Sequence, residues 1–404
     1  MSRIGNFWKT TNDSDKETRS GCCGCGTCAV KCPHNAICMR YDSEGFLYPY
    51  VDEKLCVGCG LCKKVCPVLN VPKTENDDLS VYAGYSTNPD ILENCTSGGF
   101  ATALSLYVVK QQGVVFGVGY DEDYIKCRYS SAETAEELKH FMGSKYVQSE
   151  KNQVFQKVRE ELQKNRLVLF VGCPCDISAI KLFLGKEYGN LLTCELVCMG
   201  VTSHKVAEQY KSYTEGRNRS KLVFINARSK KRGWFVPHLE EKFDNGKSKT
   251  STLFGTYYGY GFQIFNRPSC FSCSYRGKVG CADFRVGDFW GVKDTDAFWN
   301  EKGVSCILVR TARGESILEE LKKMDFQLFP TDYETATKNN MSSHSNKPEK
   351  YVELREKFSQ VFREKGMISA CRATSSAAFW VKHFVPEYLH VFLKKTYHML
   401  IDKR

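Results

Sequence analysis

No apolar run in this chain approaches the roughly 18 residues that a membrane-spanning helix needs, so no span is expected. The first twenty residues, MSRIGNFWKTTNDSDKETRS, contain no apolar core of the kind a secretory signal carries. Lysine and arginine form no dense block, which argues against nucleic acid as a partner. No G-x-G-x-x-G follows a strand and opens a helix, which excludes a plain dinucleotide-binding domain. Together these absences lead to the expectation of a cytoplasmic protein.

Length allows two or three domains, at 404 residues, and the 42% hydrophobic and 25% charged fractions are ordinary for a globular chain. The formal net charge is +11. Part of it sits at the end, where the residues from Asn346 onward hold 12 Lys/Arg against 6 Asp/Glu. A modest basic excess suits acidic partners, phosphorylated cofactors or a membrane surface.

Cysteine is plentiful, with 21 residues, an odd number that argues against a closed disulfide framework. In a reducing compartment many cysteines point to metal or redox chemistry. Eight of them form a repeat. Cys22 to Pro33 reads CCGCGTCAVKCP, and Cys56 to Pro67 reads CVGCGLCKKVCP. Laid over each other, Cys22, Cys25, Cys28 and Cys32 fall on Cys56, Cys59, Cys62 and Cys66, and Gly24, Gly26 and Pro33 fall on Gly58, Gly60 and Pro67. C-x2-C-x2-C-x3-C-P given twice is the two-cluster ferredoxin pattern. Three cysteines of a tight loop take three corners of a 4Fe-4S cube, and the fourth turns to the other cube. One cluster is therefore expected on Cys22, Cys25, Cys28 and Cys66, the other on Cys56, Cys59, Cys62 and Cys32. A pair of zinc sites would instead show C-x2-C pairs separated by a longer gap. Cys23 is expected to be a non-ligand and Cys38 a small buried residue. A short hairpin is expected around Ser43-Glu44-Gly45, and a polar linker after Pro67, with a new domain starting near Ser80.

From residue 80 to 345 helical and strand patterns alternate. FATALSLYVVKQQG, EKNQVFQKVREELQKN and ISAIKLFL read as helices; VVFGVGYD, RLVLFVG, NLLTCELVC, ADFRVGDFWG and VSCILVRT read as strands. HLEEKFDNGKSKTSTLF reads as a hairpin. The fold class expected is α+β to α/β. Four stretches carry candidate chemistry. Ser97-Gly98-Gly99 stands at a helix start, suited to a phosphate or flavin edge, or to a helix simply capped by Ser97. Gly143-Ser144-Lys145-Tyr146 offers a lysine beside an aromatic, or is a surface loop. Cys173-Pro174-Cys175-Asp176 ends a strand and opens a helix, where α/β proteins place their sites, and Cys175 is favoured as thiolate there. Cys270-x2-Cys273 is half a metal site, for which Cys175, Cys198 and Cys281 are the candidates to complete it. Cys95, Cys127, Cys194, Cys306 and Cys371 lie in or beside apolar runs and are expected in the core.

At these motifs the sequence resembles the beta subunits of coenzyme F420 hydrogenases and dehydrogenases, in particular ferredoxin-fused bacterial members, and is similar to chlorophyll-cycle reductases that share the domain. The resemblance rests on the SGG start at Ser97, GSKYVQS at Gly143, the PC turn at Cys175, the C-x-G turn at Cys198, and C-x2-C followed by AD and GDFWG, from about residue 20 to 290. It implies a flavoprotein, with FAD rather than FMN, and a further 4Fe-4S cluster on Cys175, Cys198, Cys270 and Cys273. Cys281 departs from the family pattern and is a bystander or a substitute ligand. Ser97, Gly98, Gly99, Lys145 and Tyr146 are the cofactor-binding candidates, joined by Lys231 in NARSKKRGW, a stretch whose other reading is a solvated basic loop. Lys145 and Asp176 are the candidate proton donors.

The resulting domain expectation is a two-cluster ferredoxin-like domain over 1–75, a flavin- and iron–sulfur-binding domain over 80–345 and a helical basic tail over 346–404. EKYVELREKFSQVFREKG reads as a charged amphipathic helix. Phe384, Tyr388, Val391 and Phe392, followed by Lys394 and Lys395, form a face for an anionic membrane surface, a partner protein or the chain's own body. The function expected is an oxidoreductase passing electrons between a ferredoxin-type partner and an organic substrate, which the resemblance places near polysaccharide synthesis. The alternative is a non-catalytic electron-relay subunit of a larger complex.

Overall fold

The computed structural model describes residues 21–72, 79–151, 153–340, 346–376 and 379–380. The two cysteine repeats fold alike. Gly26 and Gly60 take left-handed φ values of 76° and 75°, open to glycine without steric cost, and each launches a short helix, Thr27–Lys31 or Leu61–Lys64. Between them strands β1 (Ile37–Tyr41) and β2 (Leu47–Val51) pair antiparallel, Tyr41 opposite Leu47, around the expected turn.

Twelve further strands follow: β3 (Ser80–Ser86), β4 (Val114–Tyr120), β5 (Cys127–Ala132), β6 (Ser149–Glu150), β7 (Val168–Gly172), β8 (Leu191–Leu196), β9 (Leu222–Ser229), β10 (His238–Phe243), β11 (Ser248–Thr252), β12 (Phe284–Asp288), β13 (Ser305–Val309) and β14 (Phe326–Thr331). Nine of them form one sheet in the order β14-β3-β13-β12-β8-β7-β4-β5-β6, and β11-β10-β9 form a second. The centre of the large sheet, β12-β8-β7-β4, is parallel, and the pairs β4–β5, β12–β13, β13–β3 and β3–β14 are antiparallel. Strict alternation explains its two covered faces. Val114, Phe116, Val168, Phe170 and Leu191 point into a core with Phe155, Ile177, Ile180 and Phe183 of the helices Val154–Gln163 and Pro174–Leu184. Val115, Leu169 and Leu192 point into the opposite core, under Phe100 and Leu104 of the helix Phe100–Lys110. The α/β expectation holds, and the sheet is mixed.

The repeat segment is fastened to this body by a shared core. Phe46 and Tyr48 are buried with Phe265, Phe358 and Phe362, from the segment after the helix Tyr257–Ile264 and from the helix Lys350–Thr374. At the hairpin turn the buried Glu44 carboxylate accepts hydrogen bonds from Arg355 and Ser359 of that last helix, and Arg355 Nε donates 2.9 Å to the Asn266 carbonyl. Lys205 Nζ donates to the Ser43 carbonyl at 2.8 Å. The first part of the basic tail therefore packs on the body as a helix, kinked at Gly366 (φ 78°, ψ 177°). Phe384, Tyr388, Val391, Phe392, Lys394 and Lys395 lie outside the described residues. Among the described residues no helix is long and apolar enough to cross a membrane. Cys95, Cys127, Cys194, Cys306 and Cys371 are buried as expected, but Cys38 is exposed, because β1 buries its Ile37 side and turns Cys38 outward.

Removing Arg355 leaves Glu44 charged, buried and short of its main partner. Arg355→Met should therefore cost about 3–5 kcal/mol, as for other broken buried pairs. Urea unfolding of the metal-loaded protein measures it, and the double variant Glu44→Gln/Arg355→Met should recover much of the loss.

Candidate functional site

Four cysteines of the expected first group meet in one enclosed pocket. Cys22, Cys25, Cys28 and Cys66 line it together with Cys23, Gly26, Met39, Pro49 and Val68. Cys66 is the last cysteine of the second repeat, so the exchange between repeats is present in the geometry. The Gly24 N–H donates to Cys22 Sγ at 3.4 Å and the Thr27 hydroxyl to Cys25 Sγ at 3.0 Å. Burial pushes the Cys66 thiol up to about 11 and raises Cys28 well above the ordinary range. Such thiols ionise when a cation takes the charge, and four soft sulfurs around a pocket with converging N–H and O–H donors fit an iron–sulfur cube. The second group is looser. Cys62 packs with Cys28 and Ile37, with Cys32 at the edge, and burial followed by Cys56 and Cys59 raises its thiol.

A third group forms where the parallel strands end. Cys173 caps the helix that opens after β7, and Cys198 follows β8. Cys270 and Cys273 arrive from the turn after the helix Tyr257–Ile264. Burial lifts Cys270 to about 12, with Cys198 and Cys273 adding to it. Burial and then Cys198 also raise Cys273. The Cys175 thiol shares a hydrogen bond with Cys23, which lowers it, but burial, Asp176, Cys173 and Cys273 outweigh that. A hydrogen bond from Cys173, with help from the Gly200 N–H and Arg276, holds Cys198 below the usual thiol range against burial. Cys175, Cys198, Cys270 and Cys273 are thus electrostatic neighbours, and two unexpected sulfurs join them: Cys173 beside Cys198, and Cys23 beside Cys175. Cys281 packs in the same cluster as Cys23 and Cys25, and its thiol is lifted to about 11 by burial and then Glu195. Among the described residues no three Cys, His, Asp or Glu side chains close on a single ion. A cube spaces its thiolates around a cluster and needs a wider ring than one atom does.

Beside β4 and β5 a broad cleft opens, lined by Tyr120, Tyr129, His140, Ser144, Lys145 and Asn226 among others. Lys145 Nζ donates to the carbonyls of Met142 (2.8 Å) and Gly143 (3.2 Å), and burial pulls its pKa down to about 8. The other cofactor candidates fall elsewhere. Ser97 does not cap the helix; its hydroxyl donates 2.7 Å to the Val304 carbonyl, and Gly99 is the cap residue. Gly98 is fixed by packing, since a Cβ there would stand 2.2 Å from the Gly84 carbonyl oxygen. This turn does touch the cleft loop, through Thr96 Oγ1 and Ser144 Oγ at 3.0 Å. Tyr146 stacks on Phe262, ring centroids 4.1 Å apart. Lys231 is half out in solvent and paired with Glu240 at 2.6 Å. Its neighbour Lys230 is buried and donates to the carbonyls of Leu92 and Ser97, both at 2.6 Å. Asp176 is buried in an ion pair with Lys151 (3.1 Å) and accepts a hydrogen bond from Tyr129 (3.1 Å). In that setting it fixes the first turn of the helix that carries Cys175.

Sequence reading also missed the buried Arg228, whose guanidinium meets Asp288 of GDFWG through two 2.9 Å hydrogen bonds. Trp234 Nε1 donates to the same carboxylate at 3.0 Å and its ring stacks on Trp290 at 5.1 Å. The GW and GDFWG motifs are therefore one packed unit; their co-occurrence in the sequence was the available signal.

Residues 21–70 match the family model of a 4Fe-4S dicluster domain. Residues 81–156 match the model for the N-terminal part of the coenzyme F420 hydrogenase/dehydrogenase beta subunit, and residues 165–331 match the model for its C-terminal part. Among solved structures, a chain of the F420-reducing NiFe hydrogenase complex from Methanosarcina barkeri is similar, at 18% identity over 72% of this chain and 90% of that one, with a TM-score of 0.44. Comparison with the curated proteins gave no match.

The exchange between repeats predicts an asymmetric outcome. Cys66→Ser should strip iron from the enclosed group, and Cys32→Ser from the outer one, each losing about four irons per chain. Iron analysis with low-temperature spectra of the reduced protein reads this. Loss of the same spectral component in both variants would refute the pairing.

Proposed function

The chain belongs to the coenzyme F420 hydrogenase/dehydrogenase beta-subunit family, with a 4Fe-4S ferredoxin domain in front, and from that premise we propose that it is an iron–sulfur flavoprotein oxidoreductase. Cys22, Cys25, Cys28 and Cys66 would hold one cluster, Cys56, Cys59, Cys62 and Cys32 a second, and Cys175, Cys198, Cys270 and Cys273 a third. The observation that carries this reading is the sequence of contacts among the three groups. Cys28 packs with Cys62 at one end, and Cys23 and Cys175 are electrostatic neighbours at the other. Bound there, clusters supply single-electron transfer, and a flavin couples it to two-electron chemistry on an organic substrate. By the resemblance, that substrate would be sugar-derived or ketal-bearing.

The chain's own contribution is positioning. Lys145 and Ser144 would offer an ammonium and a hydroxyl to a flavin's phosphates in the cleft, and Tyr120 would offer aromatic surface. Lys151 and Tyr129 brace Asp176 at the helix start that presents Cys175. Lys145 also sits where an ammonium can hold or release a proton near neutral pH.

Anaerobic purification with iron, sulfide and flavin quantification tests the reading. About twelve irons and one flavin per chain are expected. A count near eight irons would remove the third cluster, and a chain that takes up no flavin would be a relay subunit. The second expectation concerns pH. The Lys145 pKa is lowered, so the ammonium that attracts phosphate is present below about 8 and lost as pH rises through it. Flavin affinity, measured by fluorescence titration, should fall across that window, and Lys145→Met should weaken binding at pH 7 and abolish the pH dependence.

A further inference from the structure

The two cysteine repeats are alike in sequence and unlike in surroundings. Cys22 and Cys25 are buried; their counterparts Cys56 and Cys59 are half-buried and exposed, and Cys59 is the one exposed cysteine of the eight. A Cβ on Gly24 would strike the Gln148 and Arg267 side chains at 2.5 and 2.7 Å, whereas one on its counterpart Gly58 would meet nothing within 4 Å. The segment that carries the second repeat also presents apolar side chains to water: Leu55 is 50% exposed, Val57 63% and Leu69 45%. Clustered exposed apolar surface marks interaction sites. Lys54, Lys63 and Lys64 are exposed in the same segment. Against its two exposed acids, Asp52 and Glu53, they leave the segment with a small positive excess. Apolar contacts with a charged rim are the anatomy of a docking face. The chain's net charge of +11 adds a field that draws in acidic molecules.

We propose that this face docks an acidic one-electron carrier protein, with Leu55 and Val57 as its apolar contacts and Lys54, Lys63 and Lys64 as its charged rim. Cys59 puts the edge of the second centre at the surface, where a carrier can approach it; Cys22 and Cys25 lie beneath the body. One electron moves per encounter, lost by one protein and gained by the other, with no bond made and no proton transferred. The inference rests on reading the second repeat as a cluster site and is independent of flavin and organic substrate.

The test uses anaerobically purified holoprotein and an acidic two-cluster bacterial ferredoxin as the probe, with Kd measured calorimetrically at low salt. Lys63→Glu/Lys64→Glu should weaken binding by about tenfold or more and flatten its salt dependence. Val57→Asp should weaken it by about tenfold through the lost apolar contact. Lys322→Glu/Lys323→Glu makes the same change in net charge at the exposed end of the helix Ala312–Lys322, and its effect should stay within about twofold. Reduction of the iron by dithionite should be equally fast in all four proteins. Unchanged binding in the first two variants, or equal weakening in the third, overturns the proposal. So does a dimer in gel filtration that Val57→Asp converts to monomer, since a second copy would then own the face. Iron content separates the failures: a missing second cluster removes the underlying reading, while a full complement without ferredoxin binding removes the docking site alone.

Discussion

The guanidinium of Arg267 is the point on which the arrangement turns. It is fully buried, and its Nε donates 2.6 Å to the Cys22 carbonyl, one NH group 2.9 Å to Gln148 Oε1 and the other 2.8 Å to the Leu47 carbonyl. Its plane lies 4.0 Å from the centre of the Tyr48 ring. Burying such a charge is costly unless every donor is used, and here each of three directions is taken by a different part of the chain. One is the first cysteine loop, one the hairpin, one the segment after Tyr146. Arg267 also stands three residues before Cys270. The side chain that grips the first thiol group and the backbone that delivers the third are therefore the same short stretch, so their separation is set by a few covalent bonds. Gly24 follows from this constraint: any side chain there would occupy the space of the guanidinium.

Much of the architecture was legible because its signals are local. The cysteine spacing repeats within a dozen residues, the strand and helix patterns each span one element, and Asp244-Asn245-Gly246 turns where it should. Even the third group was partly readable, since Cys175 and Cys198 end neighbouring parallel strands. What escaped notice depends on partners far away in sequence. Arg267, Lys230 and Arg228 look like surface cations until the body closes over them. Asp176 reads as a helix-start acid until Lys151 is seen against it. Ser97 had the right type and place for a cap, but Val304 claimed its hydroxyl, and just beyond β9 it is Lys230 that turns in to the Leu92 and Ser97 carbonyls while Lys231 pairs with Glu240.

The two repeats show how one motif comes to sit in two settings without changing its cysteine spacing. Their backbones superpose in kind, down to the left-handed glycines before each helix. The difference comes from what the body places against them: the first is roofed by Arg267, Gln148 and the hairpin core, the second is left at the edge. Burial encloses one copy within the body, and exposure of the other leaves a surface.

Tyr129 gives the site a property of its own. The residue is one of those lining the cleft, its ring stacks on Phe170, and its hydroxyl donates to Asp176, the residue next to Cys175. The strand that borders the cleft is thereby tied to the helix start that presents Cys175 through one hydroxyl and a buried ion pair, so a displacement of β5 is felt at that thiol.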